Sequence, residues 1–333
     1  MLYKENSYLW GMKSEVWHIE RYSSQRKVVW DDFVKRSKNA TFLFFRDYMD
    51  YHADRFQDAS LLIYRGDSLV ALLPGNLSDT IFYSHQGLTY GGLLLLPTTT
   101  FIIAKQALRE ALCYLKQQLS VCQVMYRAIP HIYHQQPAEE DLYALYRLGA
   151  TLHSRALSSV LQPSNKNVVR LLRRRQQKRA ERMNFSIVED EEYASFWSVL
   201  TSNLQSRHGV SPVHTLEEIK RLHSCFPHQI RLFRVLSDAG ETMGGCVVYD
   251  CACVAHVQYI AATEIGKKEG ALDLLFAHLI DTCFQHKIYF DFGISTENEG
   301  RLLNEGLLFQ KEGFGARAVL YDTYVLDLAV CKL

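Results

Sequence analysis

No apolar run in this 333-residue chain approaches the ~18 residues that a membrane-spanning helix needs. Its opening, MLYKENSYLW, lacks the charged-then-apolar layout of a signal peptide. With neither a span nor an export signal, the chain reads as cytoplasmic. A disulfide framework is missing too: the eight cysteines follow no regular spacing and several sit in apolar, strand-like runs, as reduced, buried thiols do. Cys251 and Cys253 form a lone C-x-C, and without a second pair or a histidine at ligand spacing no metal is expected. Nor does one sign of charge dominate. The 37 Lys and Arg against 36 Asp and Glu leave +1, so the bulk of the protein carries no bias toward DNA or a membrane surface. The first half holds no nucleophile beside a base, and His85, His131 and His134 are read there as surface or hydrogen-bonded histidines.

What is present is apolar material in regular patterns. A hydrophobic content of 48% suits two cores of ordinary size. From the N-terminus the patterns predict a strand over 17–22, a helix over 27–37 with Val28, Trp30, Phe33 and Val34 inward, and a second helix over 47–56. A hairpin then turns at Arg65-Gly66-Asp67, and a strand over 80–84 leads into the glycine-rich run HQGLTYGGLLLLP. A long helix over 99–119, a strand over 121–128 and a helix over 139–148, stopped by Gly149, close the first half. The second half repeats this plan: strand 185–188, helices 193–207 and 216–226, strands 230–236 and 243–249, and later a helix near 304–309 and a strand over 317–328. We read the chain as α/β in the α+β sense, with two domains, 1–155 and 156–333. Between them, residues 165–183 hold eight basic residues against Glu181 alone, a net +7 on one helix. That helix either bridges the domains as a solvated connector or meets a polyanion.

The stretch 252–293 organises the second half. It reads as a buried strand over 254–261, a basic loop over 265–270, an amphipathic helix over 270–286 and a strand over 288–292. Leu272, Leu275, Phe276, Leu279, Ile280 and Cys283 share one helical face. The helix start would leave free N–H groups and the positive dipole end beside Ile265, Gly266, Lys267, Lys268, Gly270 and Ala271, suited to a phosphate. A solvated turn has the same composition.

This order of elements, with SHQGLTYGGL in the first half, the arginine-rich helix, FDFG and then KEGFG, resembles the Fem-type branch of the GNAT acyltransferases. The resemblance covers most of the chain. It implies two tandem GNAT-like domains, each a mixed, largely antiparallel twisted sheet flanked by helices, as in peptidoglycan-bridge aminoacyl transferases and the acetyltransferases of surface-polysaccharide clusters. Acyl-CoA, such as acetyl-CoA, is the implied donor and aminoacyl-tRNA the alternative. Partners would be an amino sugar or a lipid-linked envelope precursor, with tRNA in the second case. The GNAT donor loop [QR]-x-x-G-x-[GA] has its nearest match in Lys267-x-x-Gly270-x-Leu272, where leucine replaces the small last residue. By the same resemblance Lys311, the first residue of KEGFG, lies near the acceptor's phosphates or the reaction centre.

Acyl transfer to an amine needs a base, donors for the oxyanion and an acid for the leaving group. Strand 254–261 would supply backbone N–H groups, with His256 and Gln258 on one face and Val257 and Tyr259 on the other. Tyr259 is the candidate acid, His256 or Glu264 the base, and Asp291 the group that holds the amine. Each has a plain reading as well: a packed aromatic, a core histidine, a loop cap. A module that keeps the fold without chemistry is the third possibility. Asp291-Phe292-Gly293 also matches the D-F-G of protein kinases, but the other kinase runs are absent.

Overall fold

β-Branched and aromatic runs spaced by short turns assemble into one eleven-stranded sheet that runs through both halves of the chain. The computed structural model describes residues 16–331, the side chains of 207 and 208 excepted. The opening segment read above for a signal layout lies outside them. Numbered along the chain, the strands of the large sheet are β1 (Gln57–Asp58), β2 (Asn76–Ser78), β3 (Ile81–Tyr83), β4 (Gln123–Arg127), β5 (Thr151–Leu161), β6 (Ser186–Asp190), β7 (Ile230–Leu236), β8 (Thr242–Asp250), β9 (Val254–Ala262), β10 (Tyr289–Ile294) and β11 (Arg317–Asp327). Their spatial order is β6-β7-β8-β9-β10-β5-β11-β4-β3-β2-β1. Two neighbouring pairs are parallel, β9 with β10 and β3 with β4. A separate four-stranded sheet contains Trp17–Arg21 and the hairpin Leu61–Arg65/Ser68–Leu73, with Gly66 in the left-handed conformation at its turn.

Five helices position the site: α1 (Phe101–Gln118), α2 (Leu171–Arg182), α3 (Glu264–Glu269), α4 (Ala271–His278) and α5 (Glu305–Glu312). α1 buries Ala104, Ala107, Leu108, Ala111, Leu112 and Leu115, an i, i+3/i+4 stripe. α4 buries Ala271, Leu275 and Phe276 and runs into a π-helical turn, Leu279–Cys283. Burying Leu275, Phe276 and Phe290 together contributes roughly 1.5–3 kcal/mol each.

The two halves are not separable along the predicted cut. β5 is an 11-residue strand that crosses 155/156, and β11, the last strand, inserts between β5 and β4. One core is also shared: Phe42 packs on Phe226 and Tyr249, and the Tyr48 and Tyr249 hydroxyls lie 3.2 Å apart. Other readings change locally. Val28, expected inward, is 80% exposed. The helix predicted over 47–56 is one short turn, Arg46–Met49, followed by a 3₁₀ turn, Asp50–His52.

Candidate active site

The parallel pairing of β9 and β10 lasts only three residues, from Val254/Tyr289 to His256/Asp291. A bulge in β9 opposite Val247 and Val248 and a left-handed Gly293 (φ +76°) then turn the two strands apart. The gap opens into a cleft of about 820 Å³ between the halves. Tyr83, His85 and Arg127 line it from the first half, and His256, Gln258, Phe292, Lys311 and Tyr321 from the second. Among the described residues, no strand pairs with the opened edge of β9 beyond His256.

Asp291 lies at the point of divergence and is fully buried. Its Oδ1 accepts from Ser158 Oγ at 2.5 Å and from the Gly293 N–H at 2.8 Å. Oδ2 accepts from Tyr321 at 2.6 Å and Tyr133 at 2.9 Å, and meets His256 Nδ1 at 2.8 Å. Burial alone would raise the carboxyl, but His256 and the hydrogen bonds from His256, Ser158 and Tyr321 outweigh it and hold the group well below the usual carboxylate range. An ionised carboxylate only accepts. His256 Nδ1 therefore carries the proton, and in the neutral ring Nε2 keeps its lone pair. His256 lines the cleft, so the strands present an oriented base backed by a buried anion.

Lys311 closes the floor. It sits on the last turn of α5, is buried, and donates from Nζ to the carbonyls of Gly293 and Ile294, both at 2.8 Å. Desolvation lowers its pKa to about 8, with Asp291 opposing the shift. Two of its three protons brace the Gly293 turn and the third has no partner among the described residues.

The remaining expected residues lie elsewhere. Asp291 holds His256 and, sealed from the cleft, cannot hold an acceptor amine. Tyr259 moves faces: the β9 bulge shifts the alternation, so it shares the core of Val254 rather than that of Val257. Its hydroxyl hydrogen-bonds His214, burial raises its pKa to about 12, and it does not line the cleft. Glu264 is exposed and ion-paired to Lys267, also off the cleft. The basic loop is a helix: 264–269 form α3, capped by Thr263 Oγ1 on the Gly266 N–H, and a left-handed Gly270 joins it to α4. None of Ile265, Gly266, Lys267, Lys268, Gly270 and Ala271 lines the cleft. Lys267 is held by Asn203 and Glu264, and the Gln176 carbonyl would lie 2.3 Å from any Cβ added at Gly270.

That covering is the work of α2, the basic helix. It docks on α4 through Arg173 to Asp273 at 2.9 Å and on α3 through Arg179 to Glu269 at 2.6 Å, so it is packed within the second half rather than bridging solvent. Arg174, Arg175, Lys178 and Arg182 stay exposed on its outer face. Among the described residues, no group of three or more His, Cys, Asp and Glu could hold a metal ion, and no helix is long and apolar enough to cross a membrane.

Sequence reasoning missed Ser158, Tyr133, Tyr321 and Arg127. Ser158 lies on β5, a strand not predicted at all, and Tyr133 and Tyr321 come from the first half and the last strand. Only the D-F-G turn carried a signal pointing to them.

Residues 164–300 match the family model described as acetyltransferase (GNAT) domain. No curated protein matches by sequence. Among solved structures, FemX covers 92% of this chain and 96% of its own at 10% identity and a TM-score of 0.65. The L-PGS of Bacillus licheniformis covers 93% of both at 12% and 0.59. A tandem GNAT protein from the clavulanic acid biosynthesis pathway covers 94% of this chain and 99% of its own at 11% and 0.50. Residues 164–300 thus match a GNAT acetyltransferase domain, and the chain as a whole shares its fold with FemX and with a tandem GNAT protein.

Proposed function

We propose that the protein transfers an acyl or aminoacyl group from an activated donor to an amine in the central cleft, the amine belonging to an amino sugar or other cell-envelope precursor. The observation that carries this reading is the His256–Asp291 pair at the mouth of the parted strands. His256 Nε2 takes the amine proton as the nitrogen attacks the donor carbonyl. Backbone N–H groups on the opened edge of β9 and the third Lys311 proton face the developing oxyanion. The C–N bond forms as the bond to the thiolate or ribose oxygen breaks, and the proton on His256 passes to that leaving atom. Asp291 stabilises the imidazolium between the two steps.

The crowded junction at Gly270 favours a donor other than coenzyme A seated there. An aminoacyl ester, such as charged tRNA supplies, fits the exposed cations of α2 and does not need that seat. The test is transfer from labelled aminoacyl-tRNA and from acetyl-CoA to a panel of amino-sugar nucleotides, with His256→Gln alongside. Transfer that falls by ~10²–10⁴ in the variant supports the reading. Equal rates for variant and wild type, or no transfer from either donor, would sink it and leave a non-catalytic module.

A further inference from the structure

The first half holds its own copy of the parted-strand geometry. β3 and β4 are parallel neighbours connected through helix α1, as β9 and β10 are connected through α4. Their pairing runs from Ile81/Gln123 to Tyr83/Met125 and stops. There the chain leaves at His85, whose φ of +76° lies in the left-handed region that a non-glycine residue keeps only where its surroundings impose it. Asn76 imposes it by exchanging two 2.8 Å hydrogen bonds with Gln86, and Ser84 Oγ accepts the Arg127 N–H at 2.7 Å.

Where the second half places His256 over a buried carboxylate, this copy places a guanidinium and no carboxylate. Arg127 lines the cleft, and among the described residues its side chain makes one hydrogen bond, Nη1 to the Leu88 carbonyl at 2.6 Å. Burial pushes its pKa down with no anion opposing the shift. The two carboxylates that line the cleft are engaged on the rim: Glu299 faces His153 at 3.6 Å and Glu297 accepts from Asn304 at 3.5 Å. A guanidinium has five N–H donors in a planar fork suited to phosphate or carboxylate oxygens. Withdrawing it from water without a counter-ion is unfavourable until an anion completes it.

We propose that Arg127 receives an anionic group, phosphate or carboxylate, of the amine acceptor at the wall of the cleft opposite His256. The anion site stands on the surroundings of Arg127; that its ligand is the acceptor rests on the acyl-transfer reading. β4 and β9 are four strand spacings apart in the sheet, ~19 Å at ~4.8 Å each. With both side chains reaching inward, anion and amine lie on the order of 10 Å apart or more. A free amino acid, whose amine and carboxylate share one carbon, is too short. A sugar bearing a diphosphate, or a peptide with amine and carboxylate at opposite ends, spans the gap.

Calorimetry on the intact protein tests this with inorganic pyrophosphate and, separately, N-acetylglycylglycine, which distinguish the phosphate from the carboxylate source. One of them is expected to bind wild type, to bind Arg127→Met at least tenfold more weakly, to recover in part in Arg127→Lys, and to bind His256→Gln as it binds wild type. The urea midpoint of Arg127→Met is expected to equal or exceed that of wild type. Failure of both anions to bind wild type, or equal binding by Arg127→Met, overturns the proposal. A lowered midpoint with unchanged anion affinity also overturns it, giving Arg127 only the role of holding Leu88. If no donor supports transfer while anion binding still depends on Arg127, the acyl-transfer reading falls and the anion site stands.

Discussion

Replacing Asp291 by Asn keeps the shape of the side chain and removes its charge. Five groups surround the carboxylate: Ser158 Oγ, the Gly293 N–H, the Tyr133 and Tyr321 hydroxyls and His256 Nδ1. An amide offers one oxygen and one NH₂. With the oxygen kept toward Ser158 and Gly293, the NH₂ faces the two phenols, which can rotate to accept, and His256 Nδ1, which accepts only by giving up its proton. The ring then carries its hydrogen on Nε2, and the lone pair that faced the cleft is gone. Charge-assisted hydrogen bonds of this kind contribute ~1.5–3 kcal/mol each, and part of each survives in the amide. Weakening several such bonds at once therefore costs ~3–5 kcal/mol of stability. Turnover falls by ~10³–10⁴, the effect of putting a catalytic histidine in the wrong tautomer. Urea unfolding at pH 7 reads the first quantity. The ¹⁵N shifts of the His256 ring, assigned by difference against His256→Gln, read the tautomer. A variant within ~1 kcal/mol of wild type whose Nε2 stays unprotonated would show that Asp291 neither anchors the base nor carries its charge, and the mechanism would lose its foundation.

Lys311→Met removes both hydrogen bonds to the Gly293 turn, so a stability loss of ~1–3 kcal/mol and loss of transfer are expected together, read by urea unfolding and turnover. Gly270→Ala meets both a positive φ and the Gln176 carbonyl, and is expected to cost ~2 kcal/mol or more by thermal unfolding; Lys267→Ala, which breaks a partly exposed ion pair with Glu264 and one hydrogen bond to Asn203, is expected to cost ~1 kcal/mol and to leave donor affinity unchanged. Acid should destabilise the fold. Burial lowers His85 to about 3 and His134 and His214 to about 4, so the stability from keeping them neutral is full above their unfolded pKa of ~6.5 and is lost as pH falls toward the folded values. At pH 5 this amounts to ~2 kcal/mol for each. Asp141, raised to about 6 by burial, opposes the trend and is stabilised as pH falls, but recovers less than the three histidines lose. Urea midpoints at pH 7.5 and pH 5 decide the sign; a higher midpoint at pH 5 would contradict it.

Local patterns made the second-half strands legible because they are runs of β-branched and aromatic residues bounded by turns. Strand 230–236 is reproduced to the residue, and 254–261 to within one. The first half misled where burial and propensity parted. Residues 47–56 are aromatic enough for a helix, yet they fold as two short turns so that Tyr48 and Tyr51 can pack against the other half of the chain. His256, Asp291 and Lys311 were named from the sequence, but the role of Asp291 was not. That role depends on Ser158, Tyr133 and Tyr321, which lie 133, 158 and 30 residues away and meet only because β11 crosses into the first half's part of the sheet. The phosphate-loop reading went astray for a related reason. Glycine and lysine before a helix describe an anion seat only if nothing else packs there, and it was the basic helix α2 that packed there, placing Arg173 on Asp273 and Arg179 on Glu269. A short motif specifies the backbone it can form. What that backbone faces is set by distant segments, and in this protein the distant segments cover the helix tip and leave the cleft open where the strands part.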